Sequence, residues 1–386
     1  MRLTCIIALS LALSAAPVVG VAEDGPDTGP AWAPGAERRF EKTLDRLKLE
    51  QTEWPGEYRL VGDGRHPVDR LRRLVITRDG TLWMMRNERP DRVFRAGRRS
   101  GWSGGVRGAR DMFSTPSGEA VLVRGDRFAL LDDGRWRWSE PWPESALGGG
   151  YDLEVMDDGT AWVPHWERLG RLDGSTWNSW SIDDLGITFT LPFGEGVITG
   201  FGVAPDGTAW AGLSDRDARP AGLTRFAGGE WTEVTPFAGD ERIAVTDLDV
   251  GADGTIWAVI VPDHDLSRAH LAHWDGERWA AWRLPSLLKD KHGRLPFGLQ
   301  AAPDGRAWML VWEEDPVVVQ RLDATRLLFD GETWETLDIR TGQMDPSLSF
   351  APDGTAWQAR GGAGYMIVPS ELKRMEVEAA QPYDPA

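Results

Sequence analysis

The chain has 386 residues, a formal net charge of −17 and a pI near 4.9. Such an acidic protein repels phosphate backbones and anionic lipid, so we expect neither nucleic acid nor anionic membranes as partners. Cys5 is the only cysteine and precedes the expected start of the mature chain. The mature protein is therefore expected to have no disulfide and no thiolate nucleophile or metal ligand.

Residues 1–22 have the pattern of a secretory signal peptide. Arg2 precedes a long apolar stretch, and the small residues Gly20 and Ala22 stand just before Glu23. The pattern predicts a secreted, periplasmic or cell-surface protein with no integral membrane span after signal removal. An uncleaved leader that displays the protein at the cell surface is the alternative, since the apolar stretch is nearly long enough to cross a bilayer.

The regions next to the termini differ from the middle of the chain. Residues 23–54 begin as a flexible acidic lead that is rich in Pro and Gly. Phe40, Leu44 and Leu47 then follow helical spacing, which predicts a short amphipathic helix over 36–52 on the main body. We expect the C-terminal tail, residues 369–386, to be loosely ordered.

Residues 55–368 contain seven copies of one short phrase, whose shared glycines lie 38 to 51 residues apart. Asp-Gly, preceded in three copies by Pro, is typical of a β-turn, and alternating apolar residues on each side predict two strands. The copies are TRDGTLW at 77–83, TPSGEAV at 115–121, MDDGTAW at 156–162, APDGTAW at 204–210, GADGTIW at 251–257, APDGRAW at 302–308 and APDGTAW at 351–357.

A second hairpin follows about twenty residues later in most repeats, for example at Leu172-Asp173-Gly174 with Trp177. Two hairpins per repeat predict an all-β, seven-bladed β-propeller of four-stranded blades. The last repeat lacks the second hairpin, so we expect residues 57–62 to supply the outermost strand of the last blade and close the ring. A carbohydrate platform is one interpretation of the periodic tryptophans, but burial between blades is favoured because their positions in the repeat are constant.

The pattern apolar-x-x-Asp-Gly-Thr-x-Trp, followed by apolar-Asp-Gly-x-x-Trp, resembles the repeats of bacterial extracytoplasmic propellers. The sensor propellers of two-component regulators are the nearer resemblance and streptogramin lyases the more distant one. The first implies a sensing or ligand-binding domain, and the second implies a metal-dependent lyase. No histidine kinase segment follows the repeats, and no segment matches the His and Glu catalytic set of the lyases.

The residues seven and five positions before each turn glycine are mostly polar, and alternation along the first strand directs them toward the central channel. Arg73, Asp111, Asp152 and Asp247 belong to this set, which we predict to bind the ligand. Asp152, Glu154, Asp247 and Asp249 are oxygen donors that suit Ca²⁺, the candidate cofactor. A water-filled channel in which Arg73 balances part of the charge is the alternative.

Loops at the same end contain His165 and His264, each with acidic residues nearby. We predict that both histidines bind the ligand. Either imidazole is also a candidate general base, although charged loops are ordinary features of a soluble acidic protein. No nucleophile elbow and no phosphate-binding glycine loop is present in the sequence. The sequence therefore predicts a monomeric exported domain that binds a protein or small-molecule ligand. A cation-dependent lyase or hydrolase at the mouth of the channel is the alternative.

Overall fold

A computed structural model describes most of the chain from residue 32 onward. The described residues are 32–52, 57–62, 71–86, 92–95, 108–132, 135–142, 153–165, 167–186, 196–215, 220–237, 243–263, 265, 268–285, 297–313, 323–337, 348–360, 363–368, 370, 374–379 and 381–382. The predicted signal peptide lies outside them. Among the described residues, no helix is both long enough and apolar enough to cross a membrane.

The described residues form one helix and 29 strands, together with a 3₁₀ turn at Ile182–Asp184. The N-terminal segment contains α1 (Ala36–Leu44), β1 (Lys48–Gln51) and β2 (Glu57–Gly62). Sheet 1 contains β3 (Leu71–Ile76), β4 (Leu82–Arg86) and β5 (Arg92–Arg95), and sheet 2 contains β6 (Asp111–Ser114), β7 (Ala120–Arg124), β8 (Arg127–Asp132) and β9 (Arg135–Trp138). Sheet 3 contains β10 (Glu154–Val155), β11 (Ala161–His165), β12 (Arg168–Asp173) and β13 (Thr176–Ser181).

The later repeats follow the same order of strands. Sheet 4 contains β14 (Gly196–Val203), β15 (Ala209–Asp215), β16 (Pro220–Ala227) and β17 (Glu230–Val234), and sheet 5 contains β18 (Ile243–Val250), β19 (Ile256–Pro262), β20 (His270–Trp274) and β21 (Trp279–Arg283). Sheet 6 contains β22 (Phe297–Ala301), β23 (Ala307–Glu313), β24 (Asp323–Phe329), β25 (Thr333–Leu337) and the C-terminal β29 (Arg374–Ala379). Sheet 7 contains β26 (Ser349–Phe350), β27 (Ala356–Arg360), β28 (Ala363–Ile367), β2 and β1.

The protein has an all-β propeller fold, as predicted, but the predicted number of complete blades is wrong. We expected seven sheets of four strands, whereas six sheets have four or five strands and sheet 1 has three among the described residues. The sequence signal for a second hairpin is missing from the first repeat, since residues 96–108 contain five glycines and no apolar-Asp-Gly turn.

Each phrase forms a tight turn between the first two strands of its sheet, as predicted. All seven turn glycines have positive φ, between 75° and 88°, a conformation that costs glycine little. In the fourth repeat, Asp206 Oδ1 accepts the backbone N–H of Thr208 at 2.8 Å, and Gly207 N donates to Ala204 O at 2.8 Å. The second repeat has Ser117 in place of the Asp, and there Thr115 Oγ1 accepts the N–H of Glu119 at 3.0 Å.

The motif tryptophans are buried where consecutive sheets meet, which confirms the prediction of burial between blades. Trp308 and Trp357 are 0% exposed, and Trp162 is 1% exposed. Trp162 of sheet 3 packs against Phe201 and Phe226 of sheet 4, with ring centroids 5.8 and 5.2 Å away. Seven hydrophobic clusters occur among the buried residues, and each joins two consecutive sheets, including sheet 7 with sheet 1.

The N-terminal segment packs on sheets 7 and 1. β2 pairs antiparallel with β28, while β1 pairs with the other side of β2. Residues 57–62 are therefore the fourth strand of sheet 7, and the expectation that they are the outermost strand is corrected. The predicted helix over 36–52 ends at Leu44 because residues 48–51 form β1 instead. Phe40 anchors α1 against Trp357, with ring centroids 6.0 Å apart.

The C-terminal tail is more ordered than we expected. β29 pairs antiparallel with β25 and becomes the fifth strand of sheet 6. Beyond it, Gln381 O accepts the N–H of Arg283 at 2.9 Å, and Pro382 forms a bridge with Trp282 of sheet 5. The residues after sheet 7 thus return along the outer strands of two earlier sheets, where they satisfy edge hydrogen-bonding groups.

Candidate functional site

The first strands of the seven sheets carry the predicted site residues. Each first strand is an edge strand of its sheet, and the phrase turn joins its far end to the second strand. The first strands therefore begin at the end opposite the phrase turns, together with the connections between second and third strands. We call this the entrance end. The residues that identify it are Arg73 and Asp111 on first strands, Arg124 and Arg127 at the β7–β8 connection, and His165 at the end of β11.

Asp247 and Asp249 connect sheet 5 to sheet 6. Asp247 Oδ2 accepts the backbone N–H of Leu299 at 2.9 Å, and its Oδ1 accepts that of Leu248 at 2.9 Å. Asp249 Oδ2 accepts the N–H of Ala301 at 2.7 Å. Both carboxylates are thus bound to backbone donors of the neighbouring first strand, β22.

Burial raises the pKa of both groups. The pKa of Asp247 rises to about 7 because burial disfavours the charged carboxylate; the N–H of Leu299 opposes this shift and the charge of Asp249 adds to it. The pKa of Asp249 rises to about 6, again through burial, against the stabilising N–H groups of Ala301 and Val250. The pair therefore titrates close to neutral pH.

Other first-strand side chains make the same kind of bond between sheets. Gln300 Oε1 of sheet 6 accepts the N–H of Leu348, which leads into sheet 7, at 2.8 Å. Ser349 Oγ of sheet 7 accepts the N–H of Ile76 in sheet 1 at 2.8 Å. The polar positions that we predicted to face the channel are therefore used, in these sheets, to join first strands.

Glycine replaces these polar residues in sheet 4. A Cβ atom added at Gly200 would lie 2.5 Å from Leu248 N, and one added at Gly202 would lie 2.6 Å from Val250 Cγ2. Glycine at both positions thus allows β14 to approach β18 closely. The Thr199 hydroxyl donates to the Val245 carbonyl across the same junction.

Arg73 and Asp111 join sheet 1 to sheet 2 through a two-pronged ion pair. Arg73 Nε lies 2.7 Å from Asp111 Oδ1, and Arg73 Nη2 lies 3.3 Å from Oδ2. Asp111 Oδ1 also accepts the N–H of Met112 at 2.7 Å. The predicted charge balance by Arg73 therefore takes the form of a direct contact with one of the predicted carboxylates.

The predicted metal ligands are only partly covered by the structure. Asp152 lies outside the described residues, and Glu154 is half-buried at the start of β10, opposite Trp162. Asp247 and Asp249 are bound to backbone donors as above. Within the described part of the chain, no group of three or more His, Cys, Asp or Glu residues is arranged to hold a metal ion. A Ca²⁺ site that includes Asp152 stays a prediction.

The structure describes only one of the two candidate histidines. His165 is half-buried at the last position of β11, opposite Arg168, at the entrance end. His264 lies outside the described residues, between Asp263 and Asp265. Asp263 has a positive φ of 47°, and its Oδ2 lies 3.4 Å from Nη1 of Arg268.

Sequence reasoning missed a group of arginines in sheets 1 and 2. Residues 86–137 contain twelve arginines, no lysine and seven acidic residues, a local net charge of +5 in a chain of net charge −17. Arg124 and Arg127 flank the connection between β7 and β8, so they lie at the entrance end. This local reversal of charge was visible in the sequence, but overall composition concealed it.

No family model matches the chain, and no curated protein matches it. Solved structures with similar folds include a streptogramin B lyase, 14% identical with a TM-score of 0.48, over 85% of this chain and 98% of that chain. YCF48 bound to D1 peptide is 13% identical with a TM-score of 0.43, over 84% and 97%.

The extracellular domain of the one component system BT4673 from B. thetaiotaomicron is 10% identical with a TM-score of 0.37, over 85% of this chain and 52% of that chain. A sensor propeller and a streptogramin lyase, the two classes that the repeats resemble, are thus both among the similar structures, and the predicted resemblance is confirmed. At these identities and TM-scores, nothing about function carries over to this chain.

Proposed function

We propose that the protein is an exported, monomeric β-propeller that binds a protein or small-molecule ligand at the entrance end without transforming it. The observation that supports this proposal is a set of hydrogen bonds that polar side chains on the first strands make to the next sheet. Asp247, Asp249, Gln300 and Ser349 each accept a backbone N–H from the neighbouring sheet. Such bonds fix the first strands relative to one another, so the charged loops at the entrance end are attached to a rigid support, as is typical of recognition sites.

We also propose that the sheets form one closed ring, in which β2 completes the sheet of the last repeat. The pairing of β2 with β28 supports this arrangement, because it joins the two ends of the chain in one sheet. The hydrophobic cluster of Leu74 and Ile76 with Ala359 and Met366, between sheets 1 and 7, supports it as well.

Site-specific photo-crosslinking in the native host tests the binding function. Benzoylphenylalanine would replace His165 at the entrance end or, as a matched control, the exposed Pro205 in a phrase turn at the opposite end. We expect the variant at position 165 to capture a specific partner or ligand, and the variant at position 205 to capture none. Equal capture from both ends, or capture from position 205 alone, would contradict binding at the entrance end.

A cation-dependent lyase or hydrolase is the second candidate function. Two carboxylates on one strand, Asp247 and Asp249, with pKa values raised by burial, would be relieved of mutual repulsion by a hard cation such as Ca²⁺. Metal analysis of the purified protein, followed by calcium titration of the wild type and of Asp247→Ala, distinguishes the candidates. Stoichiometric metal that is lost in Asp247→Ala favours the enzyme, whereas absence of heat and of any melting shift favours the binding domain.

A further inference from the structure

Charge at the entrance end is divided between two sectors. In sheets 1 and 2, five arginines and two carboxylates, Asp111 and Asp126, lie at or next to the strand ends that form it. The arginines are Arg73, Arg86, Arg110, Arg124 and Arg127. In sheets 3 and 5, the described residues at this end include the acidic Glu167, Asp263 and Asp265, together with Arg168 and Arg268. The entrance end is therefore basic on one side, although the chain as a whole is strongly acidic.

Arg124 and Arg127 are the central pair of the basic sector. They are direct cross-strand partners in the β7–β8 hairpin, and Arg124 is exposed while Arg127 is half-buried. Like charges that lie directly opposite each other on neighbouring strands repel. A carboxylate placed between the two guanidinium groups would replace this repulsion with charge-assisted hydrogen bonds.

Packing holds Arg124 in position for such a contact. Its guanidinium carbon lies 4.3 Å from the centre of the Trp138 ring, which is a cation–π contact. An arginine whose face stacks on an aromatic ring keeps its edge N–H groups directed outward, where they match a carboxylate.

We infer that the Arg124–Arg127 pair binds the carboxylates of an acidic peptide segment, which deepens the proposed function by naming the chemistry of the ligand at the entrance end. Arginine already binds a carboxylate at the entrance end, in the Arg73–Asp111 pair between sheets 1 and 2. A short acidic segment contacts the basic sector alone. A long phosphate backbone would also extend over the acidic sector, which repels it.

Hexaglutamate is the probe for this inference. It is titrated into the full-length protein at low salt, and the heat of binding is measured by calorimetry. We expect the wild type to bind hexaglutamate and the double substitution Arg124→Gln, Arg127→Gln to weaken binding about tenfold or more, because charge-assisted hydrogen bonds are lost. Arg135→Gln, Arg137→Gln is the matched control. These exposed arginines lie on β9 of the same sheet, away from the hairpin, and should change binding less than about twofold.

Three results would overturn the inference: no binding of hexaglutamate to the wild type, equal losses in both double variants, or binding of inorganic phosphate or decathymidylate at the pair in place of hexaglutamate. Circular dichroism of both variants shows whether each is folded. Trp138→Phe provides a second test. It removes part of the support of Arg124 and should therefore weaken hexaglutamate binding. Capture by the variant at position 165 together with failure of hexaglutamate would leave the proposed function standing and end this inference alone.

Discussion

At the residue scale, the sequence pattern at Asp247 does not distinguish a carboxylate that faces the channel from one that joins two sheets. Its position in the repeat predicted a carboxylate at the channel. The structure shows each of its oxygens accepting a backbone N–H, one within β18 and one from the next sheet. The charge of Asp247 therefore affects the stability of the junction between sheets 5 and 6 as well as the binding of any ligand.

The raised pKa values of Asp247 and Asp249 predict a pH dependence of stability. Between about pH 4 and pH 7 the folded protein retains protons that the unfolded chain has released, since the ordinary pKa is 3.8. The free energy of unfolding should therefore fall as pH rises through this range, by at most about 1.4 kcal/mol per pH unit for each proton, and level off above pH 7. Urea unfolding at pH 5, 6, 7 and 8 measures the slope.

Asp249→Asn should reduce that slope, because it removes one titrating group and the repulsion that this group exerts on Asp247. The control is Asp173→Asn, an exposed carboxylate in the second hairpin of sheet 3, which should leave the slope as in the wild type. Slopes for Asp249→Asn and the wild type that agree within error would show that the pair does not titrate in this range.

At the scale of elements, β2 is the strand whose partner is most distant in sequence. It pairs with β28, and Leu60, which is 1% exposed, enters the cluster between sheets 7 and 1 together with Phe40. The turn and strand signals of the repeat are local, whereas this pairing depends on both ends of the chain meeting. Its contribution to stability is therefore a test of how the sheets are joined.

We predict that Leu60→Ala lowers the free energy of unfolding by about 3 kcal/mol, because it leaves a cavity in this cluster. The neighbouring exposed residue supplies the control: Arg59→Ala should cost less than about 0.5 kcal/mol. Both are measured by urea unfolding. A loss for Leu60→Ala as small as that of the control would mean that β2 does not contribute to the folded core.

At the scale of the whole molecule, the hydrophobic clusters lie between sheets and not within them. Trp162 packs sheet 3 on sheet 4, and Trp308 packs sheet 6 on sheet 7. A sheet that buries one face against each neighbour cannot be stable alone, so the sheets should unfold together.

Calorimetry of Trp162→Ala and Trp308→Ala tests this cooperativity. Each substitution should cost about 3 to 5 kcal/mol and lower the temperature of one common transition. The half-buried Trp138, replaced by Phe, is a control expected to shift the transition much less. Two separate transitions, each sensitive to a different tryptophan, would instead indicate independent bodies.

The amino-acid sequence by itself determined the repeat, its turns and the burial of its tryptophans, because these depend on local backbone preference and on side chains that recur at fixed positions. Only the tertiary structure decided that Asp247 and Gln300 join sheets, that β29 returns to sheet 6, and that Arg124 lies opposite Arg127 and over the ring of Trp138. The physical reason is distance along the chain. Bonds between first strands join residues about fifty positions apart, and their geometry exists only after neighbouring sheets have packed.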